Sequence, residues 1–209
     1  MKGIKIIFVV VFLVIAAMLA GCSFVNDYSE SAERSRELDF SNKKSEWENC
    51  IEKGILNWQI VEMPRNGNKR LNMKLPFEFD DCRKYDDLPD IKNLESYIHK
   101  ENKSLIMINH GVIVKPNKKV RFDMDTFCDL VDDVKEKELI KSENKNINGK
   151  NVTYILCKGK TKKDNNECTM EFVGVQVDND YWMISYYYYS EDELMAEVAR
   201  RSIESIRIK

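Results

Sequence analysis

Residues 168–177 and 181–189 do most to limit the folds open to this chain. In an extended segment, successive side chains point to opposite faces, and here both faces are apolar. Met170, Phe172 and Gly174 fall on one face of the first run, and Val173, Val175 and Val177 on the other. In the second run Trp182, Ile184, Tyr186 and Tyr188 alternate with Tyr187 and Tyr189. Residues 104–114 have the same two-sided character. A strand that is apolar on both faces has to be covered on both. An open sheet with one wet face is therefore excluded, and something must pack above and below the central strands.

The remaining pattern supplies candidates for that cover. Ser45 and Glu48 form a capping box, with Trp47, Cys50, Ile51 and Ile55 at helical spacing and Gly54 as a stop. Trp58 and Ile60, then Leu71, Met73 and Leu75, alternate on either side of Asn66-Gly67, which reads as a hairpin ended by Pro76. Residues 80–93 read as an acidic loop. Ile91, Leu94 and Ile98 fit a helical stripe, but the turn-like Glu101-Asn102-Lys103 leading into the next strand favours a hairpin for 94–99. Phe127, Leu130, Val131 and Val134 at i, i+3, i+4 and i+7 predict a helix over 126–136. Asp123 and Asp125 lie at its positive end, Lys135 and Lys137 at the other. A strand near 139–147, a turn at Asn148-Gly149 and a strand at 151–158 follow. A second capping box, Ser190 to Glu193, opens a last helix with Leu194, Met195, Val198, Ala199, Ser202, Ile203 and Ile206 as its buried stripe.

These elements predict one α+β domain over 45–209, a mainly antiparallel central sheet covered by helices on both faces. Several features share an order: the Lys74-Leu75-Pro76 strand end, a long central strand, the helix at 126–136, and the Ile147-Asn148-Gly149-Lys150 turn. A three-strand meander and a helix closing on Ser205-Ile206 complete it. In this order, over about residues 55–209, the chain resembles the PsbP-like family. The resemblance implies an α-β-α sandwich that works as a binding or assembly module, and it transfers no functional residue.

Address is read from the first residues. Lys2 and Lys5 precede an uninterrupted apolar run over 6–20, and Leu19-Ala20-Gly21-Cys22 closes it. A positive start, a short apolar core and small residues before a cut describe a secretory leader. With Cys directly after Leu19, Ala20 and Gly21, the segment resembles the bacterial lipobox. The resemblance implies that 1–21 is a removed signal peptide and that the Cys22 thiol takes a diacylglyceryl group. The alternative, an uncleaved span, is disfavoured because the run falls short of the roughly 20 apolar residues a spanning helix needs. Residues 22–44, polar and without apolar period, read as a flexible tether. The implied address is extracytoplasmic and lipid-anchored, at the plasma membrane outer leaflet. In a cell with two membranes Ser23 favours the outer one.

Removing 1–21 would leave 188 of the 209 residues, and the loss of two lysines moves the formal charge from −2 to −4. That mild acidity argues against nucleic acid as a partner, since phosphate binding wants a concentrated basic face. Lys158, Lys160, Lys162 and Lys163 do cluster, but Asp164 and Glu167 beside them fit a solvated hairpin tip.

Cysteine is the richest candidate chemistry. Outside the cytoplasm disulfides are permitted. Cys157 and Cys168 would face each other across a hairpin whose turn is centred on 159–166, and Cys50 with Cys82 is a second candidate bridge. Five cysteines beyond Cys22 leave one thiol over, and Cys128 beside the helical stripe fits a small buried hydrophobe. Only His99 and His110 could serve as a base, and Cys128 with His110 is the single nucleophile pairing available. Zinc spacing and nucleotide or hydrolase motifs are missing, so no metal or cofactor is expected. Two glycosylation-like triplets, at Asn102 and Asn151, are discounted for a bacterial lipoprotein. The run Tyr186, Tyr187, Tyr188, Tyr189 reads either as core with hydroxyls at the sheet margin or as an aromatic binding surface. The expected function is a membrane-tethered, non-catalytic module that binds an envelope protein or a small ligand. An envelope hydrolase or thiol-dependent enzyme, and a purely structural lipoprotein, are the alternatives.

Overall fold

The computed structural model of the chain describes residues 56–64, 69–101, 103–115, 118–128 and 133–209. The leader, Cys22, the tether, the capping box at Ser45 and the Asn66-Gly67 turn lie outside them. The chain divides into two units, Met1–Asn57 and Trp58–Lys209, and every element below belongs to the second.

Ten strands and two helices follow in order: β1 (Gln59–Met63), β2 (Leu71–Leu75), β3 (Asp81–Lys84), β4 (Ile91–Glu101), β5 (Ser104–Ile113), α1 (Met124–Cys128), β6 (Val134–Ile147), β7 (Lys150–Thr161), β8 (Glu167–Val177), β9 (Asp180–Tyr189), α2 (Glu193–Glu204) and β10 (Arg207–Ile208). Seven strands form one antiparallel sheet in the order β3-β4-β5-β9-β8-β7-β6, and β1-β2-β10 form a second, three-stranded sheet. The large sheet joins two meanders, β3-β4-β5 and β6-β7-β8-β9, along the β5–β9 pair. That arrangement puts the two-sided apolar runs at its centre, with Ile108 opposite Ile184 and Val173 opposite Ile184 on the other side. Trp182, Tyr186, Phe127 and Phe172 are among the largest fully buried side chains, each worth about 1.5–3 kcal/mol of transfer free energy.

Both faces of the central strands are covered as their pattern requires, but not by helices on both. On the Trp182 face, the Tyr186 hydroxyl meets Ser202 of α2 at 2.7 Å, and the Trp182 indole N–H donates to the Met63 carbonyl of β1 at 3.2 Å. Cover there comes from α2 and the small sheet. On the opposite face Phe127 stacks on Phe172, with ring centroids 4.8 Å apart, and Phe122 lies against Gly174. A Cβ at Gly174 would come within 2.2 Å of the Phe122 ring, so the glycine makes room for the cover.

The expected α+β sandwich with helices on both faces is therefore corrected to a β-rich fold, with two helices among the described residues. The physical reason lies in 126–136. Among the described residues the helix covers Met124–Cys128, and Val134 instead opens the 14-residue edge strand β6. Most of β6 is exposed; the strand expected near 139–147 is its larger part, and only its start at Val134 falls in the stretch read as a helix. The acidic loop at 80–93 contains β3 and the start of β4, and β10 follows the last helix. The hairpin reading of 94–99 matches β4–β5.

Candidate functional site

The small sheet and the end of α2 enclose a cleft of about 680 Å³. Its floor is set by register. Ile60 pairs with Lys74, and Glu62 and Arg207 each pair with Asn72, so Ile60, Glu62, Asn72, Lys74 and Arg207 share one face of the sheet. The opposite face carries Leu71, Met73 and Leu75, all buried.

The helical wall is held by its C-terminal cap. Ser205 Oγ accepts from the Lys74 amide at 2.7 Å and donates to the Ser202 carbonyl at 2.7 Å, fastening the last turn of α2 to β2. The Asn148 side-chain amide donates to the Glu204 and Ile206 carbonyls at 3.1 and 2.8 Å. Helix C-termini leave orphan carbonyls, and here one hairpin turn satisfies two acceptors at that end. That turn is the two-residue Asn148-Gly149 link, with φ of 48° and 81°, the left-handed geometry that hairpin turns favour.

Charge within the cleft is uneven. Glu62 is paired with Arg70 at 3.1 Å, and Glu204 with Arg200 at 3.0 Å. Arg201 is held by Glu197 at 2.5 Å and lies 5.8 Å from the centre of the Trp58 ring. Hydrogen bonds from Arg200 and then Arg201 hold the Glu197 carboxyl far down, at about 2. Lys74, Arg207 and Lys209 also line the cleft, and among the described residues none of the three has a carboxylate partner. Asn72 is 6% exposed, and its Oδ1 has no hydrogen-bond partner among the described residues.

The residues singled out in sequence fall elsewhere. Cys157 and Cys168 are buried and remain thiols. The register sets Cys157 opposite Met170 and Cys168 opposite Gly159, because the turn is centred one residue later than a facing pair needs. The two cysteines are thus diagonal neighbours, about 7–8 Å apart in such a ladder, beyond the span of roughly 4.4–6.8 Å that a disulfide closes. Burial pushes the Cys168 thiol up. Cys82 is an exposed thiol on β3, and Cys50 lies outside the described residues. Cys128 ends α1.

The tyrosine run does not form one aromatic surface. Tyr186 and Tyr188 are 0% and 4% exposed, while Tyr187 and Tyr189 lie half-buried on the other face. Tyr188 belongs to a cluster that sequence reasoning missed. Its hydroxyl donates to Glu171 Oε1 at 2.7 Å, and the Tyr154 hydroxyl donates to Oε2 at 2.6 Å. Lys145 sits 3.7 Å over the Tyr154 ring. The lone signal was a glutamate inside an apolar run.

His110 is 2% exposed, with Nε2 2.9 Å from Asp180 and Nδ1 without a hydrogen-bond partner among the described residues. Burial lowers its pKa against the opposing pull of Asp180. His99 stacks on Phe77 at 3.7 Å and has Nδ1 2.9 Å from Asp80. Of the basic cluster, Lys160 pairs with Glu136 at 2.7 Å, and Lys158, Lys162 and Lys163 are exposed. Among the described residues no group of three or more His, Cys, Asp or Glu side chains is placed to hold a metal ion. Among them too, no helix is long and apolar enough to cross a membrane.

Fold and site together define an antiparallel β protein with a cleft between its small sheet and its last helix. No protein-family model matches the chain, and no curated protein matches it. Among solved structures it is similar to the Ran-binding protein Mog1p of Saccharomyces cerevisiae, at 9% identity over 73% of this chain and 95% of that one, with a TM-score of 0.41. It is also similar to LpqN, involved in cell envelope biogenesis of Mycobacterium tuberculosis, at 9% identity over 73% and 92% of the two chains and a TM-score of 0.40. A Pseudomonas aeruginosa protein of unknown function is similar at 8% identity over 70% and 94%, with a TM-score of 0.35.

Proposed function

We propose that this chain is an extracytoplasmic lipoprotein whose β-rich unit is a non-catalytic binding module, with the cleft beside α2 as its binding site. The observation that carries the binding reading is the cleft's chemistry. Three cations without carboxylate partners and a buried amide oxygen without a donor, among the described residues, line one concave surface, while buried polar groups are otherwise nearly always paired. The anchoring half rests on the Leu19-Ala20-Gly21-Cys22 segment behind its apolar run. Two acyl chains on one cysteine give a stable attachment where a single chain gives a marginal one. The non-catalytic reading is supported by the state of the candidate nucleophiles and base. Burial pushes the Cys168 thiol up, and His110 is itself buried at 2% exposure, with its pKa lowered by that burial.

Metabolic labelling with a radioactive fatty acid tests the anchor. The unsubstituted chain should incorporate label and run at the size of the processed protein. Cys22→Ser should lose the label and accumulate as the full-length precursor. Continued labelling and processing of Cys22→Ser would overturn the reading.

A further inference from the structure

We propose that the cleft is a phospholipid-headgroup site, taking an anionic headgroup that carries a free hydroxyl from the membrane that holds the chain. The inference rests on the binding-module reading and adds the ligand class. Its first support is charge. Lys74, Arg207 and Lys209 line the cleft with no carboxylate partner among the described residues, and the two acidic side chains there, Glu62 and Glu204, are each engaged by an arginine. The cations left over suit a phosphate, and basic pockets of this kind hold anionic headgroups at membrane surfaces.

The second support is Asn72. Its amide N–H reaches the Arg70 carbonyl at 3.4 Å, but its buried Oδ1 accepts from none of the described residues. A buried acceptor needs a donor. A phosphate diester anion supplies none, whereas a headgroup hydroxyl does. The third support separates a lipid from a free solute. Ile60 is 66% exposed at the mouth of the cleft, beside the half-buried Trp58. An aliphatic and an indole next to cations make the amphipathic mixture that sits at a membrane interface. A small soluble anion would leave Ile60 in water. A lipid on Cys22 would also tether the unit that carries the cleft to the membrane. Tethering of that kind raises the effective concentration of headgroups.

The full chain in a neutral detergent, followed by tryptophan fluorescence, is titrated with three probes: short-chain phosphatidylglycerol, short-chain phosphatidylcholine and glycerol 3-phosphate. Phosphatidylglycerol should bind saturably, more weakly as salt rises, and well above the other two. Each cation removed should cost about five-fold in affinity, so Lys74→Gln with Arg207→Gln should cost about 25-fold. Lys74→Arg with Arg207→Lys should restore most of it. Both side chains are exposed, and the salt series on the unsubstituted chain is independent of any variant's folding. Equal binding of phosphatidylcholine, a double variant that binds like the parent, or salt-insensitive binding would overturn the proposal. Glycerol 3-phosphate binding as tightly as the lipid would do so too, making the cleft a site for a soluble anion. Fatty-acid labelling at Cys22 is scored separately, so loss of the anchor and loss of headgroup binding are told apart.

Discussion

At the residue scale, Glu171 shows how much depends on register. The glutamate lies opposite Tyr186 on one side and Leu156 on the other, and Tyr154 and Tyr188 are its diagonal neighbours on the flanking strands. Three strands have to pair correctly before the two hydroxyls converge on one carboxylate, so the sequence could show the glutamate but not its partners. The trio is a buried network in which both carboxylate oxygens accept, and such networks are costly only when partly satisfied. Glu171→Ala should therefore destabilise the fold by about 3 kcal/mol, since it strands two buried phenols as well as removing packing. Glu171→Gln keeps the shape and one carbonyl acceptor, and its cost should be about half as large. Urea unfolding followed by circular dichroism measures both. Equal, small effects would mean that the cluster is solvated.

At the element scale, the strands were legible and the helices less so. Residues 168–177 and 181–189 announce themselves because alternation places apolar groups on both faces, and β8 and β9 coincide with them. The helix-like stripe of Ile91, Leu94 and Ile98 has a specific origin. Lys92 pairs with Val112 and Glu95 with His110, so one extra residue is inserted in β4, with Asn93 at a φ of 52°. A bulge of this kind shifts the phase of a strand by one. Spacings of three and four then bring all three apolar side chains to one sheet face. The helix at 126–136 failed for the opposite reason: the apolar spacing is helical, but the chain past Val134 is needed as the edge of the sheet. The start of α2 is displaced as well. Asp192 rather than Ser190 is its N-cap, its carboxylate accepting from the Met195 amide at 3.0 Å, while Ser190 Oγ bonds Thr169 at 2.9 Å. Asp192→Ala should then cost about 1 kcal/mol in the same unfolding measurement. Ser190→Ala should cost less, and the reverse order would restore the capping box read from sequence.

At the scale of the whole molecule, the tyrosines make folding sensitive to alkali. Burial pushes the pKa of Tyr154, Tyr181, Tyr186 and Tyr188 above the ordinary value, and Glu171 adds to the rise at Tyr154 and Tyr188. Tyr181 lies on the face that carries Gly111, the other three on the face beneath α2, so the effect spans both sides of the central strands. The sign follows from linkage. Above about pH 10, where an unfolded tyrosine ionises, the unfolded chain gives up protons that the folded chain keeps. Stability therefore falls as pH rises. Below the unfolded value all four are neutral in both states, and their contribution is fully present. The denaturation midpoint should hold steady to about pH 9 and drop steeply beyond about pH 10. Phenolate absorbance from these residues should appear in one transition with the loss of the circular dichroism signal. Exposed tyrosines would titrate earlier, as a separate phase with the fold intact. If all the phenolate absorbance developed while the fold persisted, the tyrosine run would be solvent-accessible, which would favour the aromatic binding surface over the core packing that its sequence also allows.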